Sequence, residues 1–295
     1  MKSIAEKSGV LLLAMLFIVA TACAEDIERT VPADPRGEVE IVNVSGDVQV
    51  RGWERSEVQV HAELSNGVDT LNVTSNKGRV SINVVLKGDR SHGGTDLIVE
   101  VPRDSTLLVK TVSADQVITG VRGVQRLQAV SGSINTQVWG EELRVKTMSG
   151  EVTVAGHEMP ARTAINTVSG DVDLADVAGE LSLETVTGDM QVRMQALTRG
   201  RIQTTNGDLN LRAALAADAE LDAEAINGDL TFTLQQPVNA EFDIETFNGE
   251  IDNCFGPKSV RTREFAPGNN LRFKEGNGAA RVRVKTLNGG VEICR

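Results

Sequence analysis

The chain has 295 residues, a formal net charge of −11, no Tyr, 3 % aromatic residues and 28 glycines. So acidic a balance excludes nucleic acid and a bare anionic membrane as general partners. Gly and β-branched residues where aromatic cores are usual point to many short strands and tight turns.

Residues 1–24 read as an export signal: Lys2 and Lys7 precede the apolar run Val10 to Val19, which leads into the small residues Ala20, Ala22 and Ala24. The run is too short for a membrane span, which takes about 20 apolar residues, so the mature chain is expected to carry no transmembrane segment. Two readings of its end stay open. Ala22-Cys23-Ala24 fits a signal-peptidase site, whereas Ala20-Thr21-Ala22-Cys23 resembles a lipobox and would make Cys23 a lipidation site. Both place the mature chain in the periplasm or at the outer membrane. Losing Lys2, Lys7 and Glu6 moves the net charge from −11 to −12.

Residues 25–36, with Pro32 and Pro35, read as an N-terminal tether. Residues 37–110 keep a strand-like alternation (VEIVNVSGDVQVRGW, EVQVHAEL, RVSINVVL, DLIVEVP) without a strict period, and are expected to form irregular β coils interrupted by loops such as Lys87–Gly94. Terminal units of a repeat array are usually atypical, because an open strand edge invites pairing with other chains.

Residues 111–254 repeat one phrase. AVSGSI, TMSGEV, TVSGDV, TVTGDM, TTNGDL, AINGDL and TFNGEI follow one another, and from Gly132 to Gly249 the glycines advance by 18, 20, 18, 19, 21 and 21 residues. A fixed period of this size marks an array. Apolar residues alternate inside each unit, as in Leu181, Leu183 and Thr185 before a glycine and Val172 and Leu174 after another, which is the period of a strand. The segment AALAADAELDAEAINGDL has the composition of a helix, but Leu221, Ala223 and Ala225 fall in the places of Leu181, Leu183 and Thr185, so it is assigned as strand.

Two architectures fit two-strand units: a hairpin meander or a parallel solenoid. The residue before each glycine favours the latter. Ser131, Ser149, Ser169 and Thr187 are followed by Asn206, Asn227, Asn248 and Asn288, and like beside like gains only if equivalent positions lie one strand spacing, about 4.8 Å, apart. The expected fold is all-β, a right-handed parallel β-solenoid (β-helix) with coils of about 18–21 residues. In that fold Glu151, Asp171, Asp189, Asp208, Asp229 and Glu250, each following a glycine, form a file of like charges, each exposed neighbour pair costing about 1 kcal/mol. Solvent and salt, a basic partner or Ca²⁺ bridging the carboxylates would offset that cost. No other cofactor is indicated.

Residues 255–295 read as an excursion followed by a capping coil. Cys254 and Cys294 each lie five residues after a repeat glycine, Gly249 and Gly289. In an oxidising compartment they can pair, provided the intervening segment bulges out and the last coil sits directly on the Cys254 coil, since two full coils would separate them by about 10 Å against a disulfide limit of about 7 Å. Residues 256–295 hold nine basic residues against three acidic ones. Among them Arg261, Arg263, Arg272, Lys274, Arg281, Arg283 and Lys285 are a candidate docking surface for an anionic envelope polymer or the acidic flank of another copy.

Catalytic signatures are missing from the sequence. His61, His92 and His157 have no spacing partners, and no C-x-x-C, phosphate loop or G-x-S-x-G elbow occurs. S-G-D triplets recur, whereas a nucleophile is needed once. Trp53 and Trp139 are the sole tryptophans, few for a glycan-cleaving β-helix enzyme, which is kept as the rival reading.

GEVEIVNVSGDVQVRGW from Gly37, DLIVEVP from Asp96, the TVSGDV units and GNGAARVRVKTLNGGVEI from Gly276 together resemble the putative adhesin family of bacterial envelope β-strand-repeat proteins, a domain of unknown function similar to adhesin head domains of autotransporter-like proteins. The resemblance implies a β-helix-like fold and an adhesin-like binding or scaffolding role in the envelope. It implies no catalytic residues, and the partner is expected to be an envelope component, a surface polymer or further copies stacked end to end.

Overall fold

A computed structural model describes residues 25–65, 68–87, 94–157, 159–263 and 266–295. Residues 1–24, with Cys23, and residues 88–93 lie outside the described part. Among the described residues every regular element is a strand and there is no helix.

Equivalent positions of successive units pair in parallel, Thr147 beside Thr167, Thr167 beside Thr185, and Thr185 beside Thr204. The repeated phrase is therefore a corner, and like letters in the text become neighbours in space. Between corners the chain bends a second time; in Val172–Thr187 that bend uses Asp176 at φ 56° and Gly179 at φ 101°. Val172, Leu174, Leu181 and Leu183 point inward and are at most 2 % exposed, each contributing about 1.5–3 kcal/mol of burial. The Ala-rich segment is strand Leu209–Asn227, with Leu221 and Ala223 buried. Its repeat phase outweighs its helix propensity because those side chains complete the stacked core.

The corner glycine meets two demands at once. Gly188 has φ 141°, and a Cβ there would run into the carbonyl oxygen of Gly170 on the coil before; Gly207 repeats the arrangement against Gly188. A side chain would be strained by the backbone angle and blocked by the neighbouring coil.

Both ends depart from chain order. At the first, Glu38–Trp53 lies between Thr106–Thr119 on one side and Arg79–Leu86 with Thr95–Pro102 on the other, so the strands that follow it in sequence lie outside it. Glu25–Pro32, expected as a tether, is instead a strand antiparallel to Glu57–Leu64. Its own alternation explains the difference, since Ile27, between Asp26 and Glu28, and Val31, between Thr30 and Pro32, pack against the core.

At the other end the last coil does not cap the stack. Ala280–Asn288 pairs in parallel with Leu209–Asn227 on one side and with Ala240–Asn248 on the other, and Val291–Cys294 likewise separates Leu230–Leu234 from Ile251–Asn253. The corners thus run Gly207, Gly228, Gly289, Gly249. Charge accounts for the insertion: Arg281 lies between Glu220 and Glu241, Arg283 between Asp222 and Asp243, and Lys285 between Glu224 and Glu245. Stacking the two acidic strands directly would set like charges opposite one another three times. Outside them, Ala266–Glu275 runs antiparallel on Ala240–Asn248 and offers Arg272 to Asp243 and Glu245. Cys254 and Cys294 are bonded with their Cα atoms 4.8 Å apart, as adjacent coils require.

Candidate functional site: the corner face

The carboxylates after the corner glycines do line up, and their main-chain chemistry is now visible. The backbone N–H of Asp189 donates to Asp171 Oδ1 at 2.9 Å, that of Asp208 to Asp189 Oδ1 at 2.9 Å, and that of Asp229 to Asp208 Oδ1 at 2.8 Å. Each carboxylate thus accepts a main-chain donor from the next coil, a charge-assisted bond that offsets its neighbour's repulsion. The file is broken at the inserted coil, where Gly290 stands between Asp229 and Glu250 and donates to Asp229 Oδ1 at 2.7 Å. Beyond Glu151 it continues differently from the sequence reading, through Ser133 and Asp115 to Asp47 and Asp96. Partial burial, then the charges of Asp96 and Asp115, hold the Asp47 carboxyl above the usual range although its side chain is exposed. Among the described residues the only three ligand-type side chains whose ligand atoms lie within 4.8 Å of one another are Cys254, Glu292 and Cys294, where the sulfurs are joined.

The amides beside this file form their own ladder. Asn227 Nδ2 donates to Asn206 Oδ1 at 2.7 Å, Asn288 to Asn227 at 2.8 Å and Asn248 to Asn288 at 2.9 Å.

The basic residues of the C-terminal segment are mostly engaged within the molecule. Arg281 reaches Glu220 at 3.6 Å, Arg283 reaches Asp222 at 3.2 Å, Lys285 reaches Glu245 at 3.6 Å, and Arg272 reaches Asp243 at 2.9 Å. Lys274 lies opposite Glu241 and Arg261 opposite Asn269 in register, and the Arg263 side chain lies outside the described residues. What read as one docking patch is largely the set of charges that seats the inserted strand. Trp139 stacks on His157 with ring centroids 3.6 Å apart beneath the Arg122 guanidinium.

The corner carries a feature that the motif search passed over. The residue between the buried Thr and the Ser or Asn points outward and is nearly always apolar. In spatial order the column runs Val44, Val112, Val130, Met148, Val168, Val186, Thr205, Ile226, Leu287, Phe247. Val112, Val130, Met148, Val168, Val186, Ile226, Leu287 and Phe247 are 45–57 % exposed. Single exposed aliphatics are ordinary, but a contiguous row of them is a marked surface. Beside its far end a groove of about 900 Å³ is lined by Ile226, Phe247, Leu287, Glu184, Glu224 and Glu245 and bounded by Pro267 and Gly268. A smaller one, of about 300 Å³, adjoins Val168 and Val186. The signal was present in the sequence as an apolar letter in an outward phase of every unit but that of Thr205.

An all-β repeat architecture with stacked Gly corners and no helix among its described residues defines the class. The chain belongs to the Toastrack DUF4097 family, whose model matches residues 36–247. Among curated proteins there is no match. Several solved structures are similar over most of their length, three of them as follows. A putative cell adhesion protein from Clostridium sporogenes shares 10 % identity over 92 % of this chain and 99 % of its own, with a TM-score of 0.25. A putative adhesin from Parabacteroides distasonis shares 11 % over 92 % and 98 %, with a TM-score of 0.40. A putative lipid binding protein from the same organism shares 14 % over 92 % and 96 %, with a TM-score of 0.31. At these scores they carry no argument about function.

Proposed function

We propose that the chain is a right-handed β-solenoid, exported to the bacterial envelope, that works there as a non-enzymatic adhesin-like binding or scaffolding protein, with the exposed apolar column as its contact face. The observation that carries this reading is the column itself, eight large apolar side chains each about half exposed along one edge. Solvation of such a row is unfavourable unless a partner covers it. The export signal read at residues 1–24 fits an envelope role, and among the described residues no helix is long and apolar enough to cross a membrane.

The test is photocrosslinking in the native envelope from a reactive residue at Val186, with one at Arg193 on the same coil as the off-face control. A partner captured from Val186 alone supports the reading. Equal capture from both, or none, refutes it. Incubation with a glycan panel decides the rival, since new reducing ends or unsaturated products would establish a polysaccharide-active enzyme.

A further inference from the structure

We infer that the half of the apolar column running from Val186 to Phe247 is a docking groove for a basic amphipathic helix of a partner protein. The inference rests on the binding role proposed above and names the chemistry of its partner.

Charge comes first. On one side of this half lie Asp189, Asp208, Asp229 and Glu250; on the other lie Glu184, Glu224 and Glu245. The cations that reach that flank, Lys285 and Arg272, both pair with Glu245, at 3.6 and 3.3 Å, so Glu184 and Glu224 carry its negative charge. A hydrogen bond accepted at Oδ1 from a main-chain N–H leaves each of Asp189, Asp208 and Asp229 its negative charge. The surface is therefore an apolar strip between two acidic borders, and its complement is an apolar strip between two basic borders. A second copy of this chain would set carboxylates against carboxylates, and an anionic bilayer would be repelled in the same way.

Geometry then selects the form of the partner. The column runs along the stack, across the strands, and five coils at about 4.8 Å span about 19 Å. A helix of about 13 residues has that length at 1.5 Å per residue, and it presents side chains on one face about every 5.4 Å, close to the coil spacing. An extended peptide presents same-face side chains about every 6.6 Å and finds no free main-chain donors running across a sheet. Recognition of this kind seats i, i+3, i+4 and i+7 anchors in an apolar groove. Here the groove of about 900 Å³ is bounded at its far end by Pro267 and Gly268, and Asn269 fixes that arm by donating to the Gly249 carbonyl at 2.7 Å.

The experiment titrates the full chain into a fluorescein-labelled helical peptide of about 14 residues, with Leu on one face and Lys on both borders, read by anisotropy. Saturable binding is expected, weakened about tenfold between low and high salt because the borders are exposed charges. A peptide of the same composition with scrambled period should bind at least about tenfold more weakly, since contact with the strip is lost. Equal binding of both, or of neither, overturns the inference, and this arm needs no variant. Val186→Ser with Leu287→Ser should also weaken the helical peptide about tenfold, with an unchanged circular-dichroism melt showing that the fold is intact; unchanged affinity overturns the inference. Neutral phosphatidylcholine vesicles that bind in preference to the peptide, or self-association lost in the Ser variant, would replace the helix by lipid or by a second copy while leaving the column a binding face. Crosslinking from Val186 that captures nothing would instead refute the binding role even if the peptide bound.

Discussion

Reversing one charge of the inserted strand should loosen the C-terminal end by a measurable amount. Arg283 reaches Asp222 at 3.2 Å and lies opposite Asp243 on its other side. The Arg283 and Asp222 side chains are 44 % and 45 % exposed, so each attraction is worth no more than about 0.5 kcal/mol after screening. Arg283→Glu removes two attractions and creates two cross-strand repulsions of similar size, a loss of about 2 kcal/mol in total. Urea unfolding at low salt reads it, with Cys254 and Cys294 reduced so that no covalent link holds the strand in place. The loss should shrink in high salt, and Asp222→Arg in the same chain should recover part of it. An Arg283→Gln variant that loses as much as Arg283→Glu, or a midpoint that does not move, would show that packing alone seats the strand and that the charge pattern is incidental.

Four further outcomes follow from the same geometry. Gly188→Ala should prevent the corner from closing, because φ 141° and the Gly170 carbonyl both exclude a Cβ; a soluble variant with a wild-type melt would refute this. Cys254→Ser should cost about 4 kcal/mol, from loop-closure entropy over a separation of 40 residues, read as a lower urea midpoint. Asp189→Asn should be neutral or slightly stabilising, since an amide oxygen still accepts the Asp208 N–H while the like charge is gone, whereas Asp189→Ala should cost about 1–2 kcal/mol; added Ca²⁺ that raises the melting temperature in wild type and not in Asp189→Asn would show instead that the file holds cations. Asp47, held above the usual carboxyl range, favours the folded state while protonated. Its contribution is complete below the unfolded value and lost as pH rises through the folded one, so Asp47→Asn should flatten the acid side of the stability profile.

The parallel stack was legible because repetition of side-chain type is informative only where equivalent positions touch. The Asn206, Asn227, Asn248, Asn288 series announced an amide ladder, and the matched places of Cys254 and Cys294 announced adjacent coils. The order of those coils was not legible from the period, which treats every unit alike. It lay in the charges outside the phrase, the basic ARVRVK facing the acidic AELDAE and AEFDIE, a pattern that resembles a docking patch until its neighbours are known. The strand at Glu25–Pro32 was missed for a related reason: Pro32 at its end and Pro35 beyond it outweighed the modest alternation of Ile27 and Val31. The apolar column was overlooked because alternation was used to find inward residues, whereas the informative letter was the one breaking the outward rule.

The order of the corners bears directly on the proposed face, because it makes Leu287 rather than Phe247 the neighbour of Ile226. Oxidation of Ile226→Cys with Leu287→Cys should form a disulfide, detected by mass spectrometry of the digested chain, while Ile226→Cys with Phe247→Cys should not, its partners being two coils, about 10 Å, apart. A bridge in the second pair and none in the first would place the coils in chain order and remove the inserted strand.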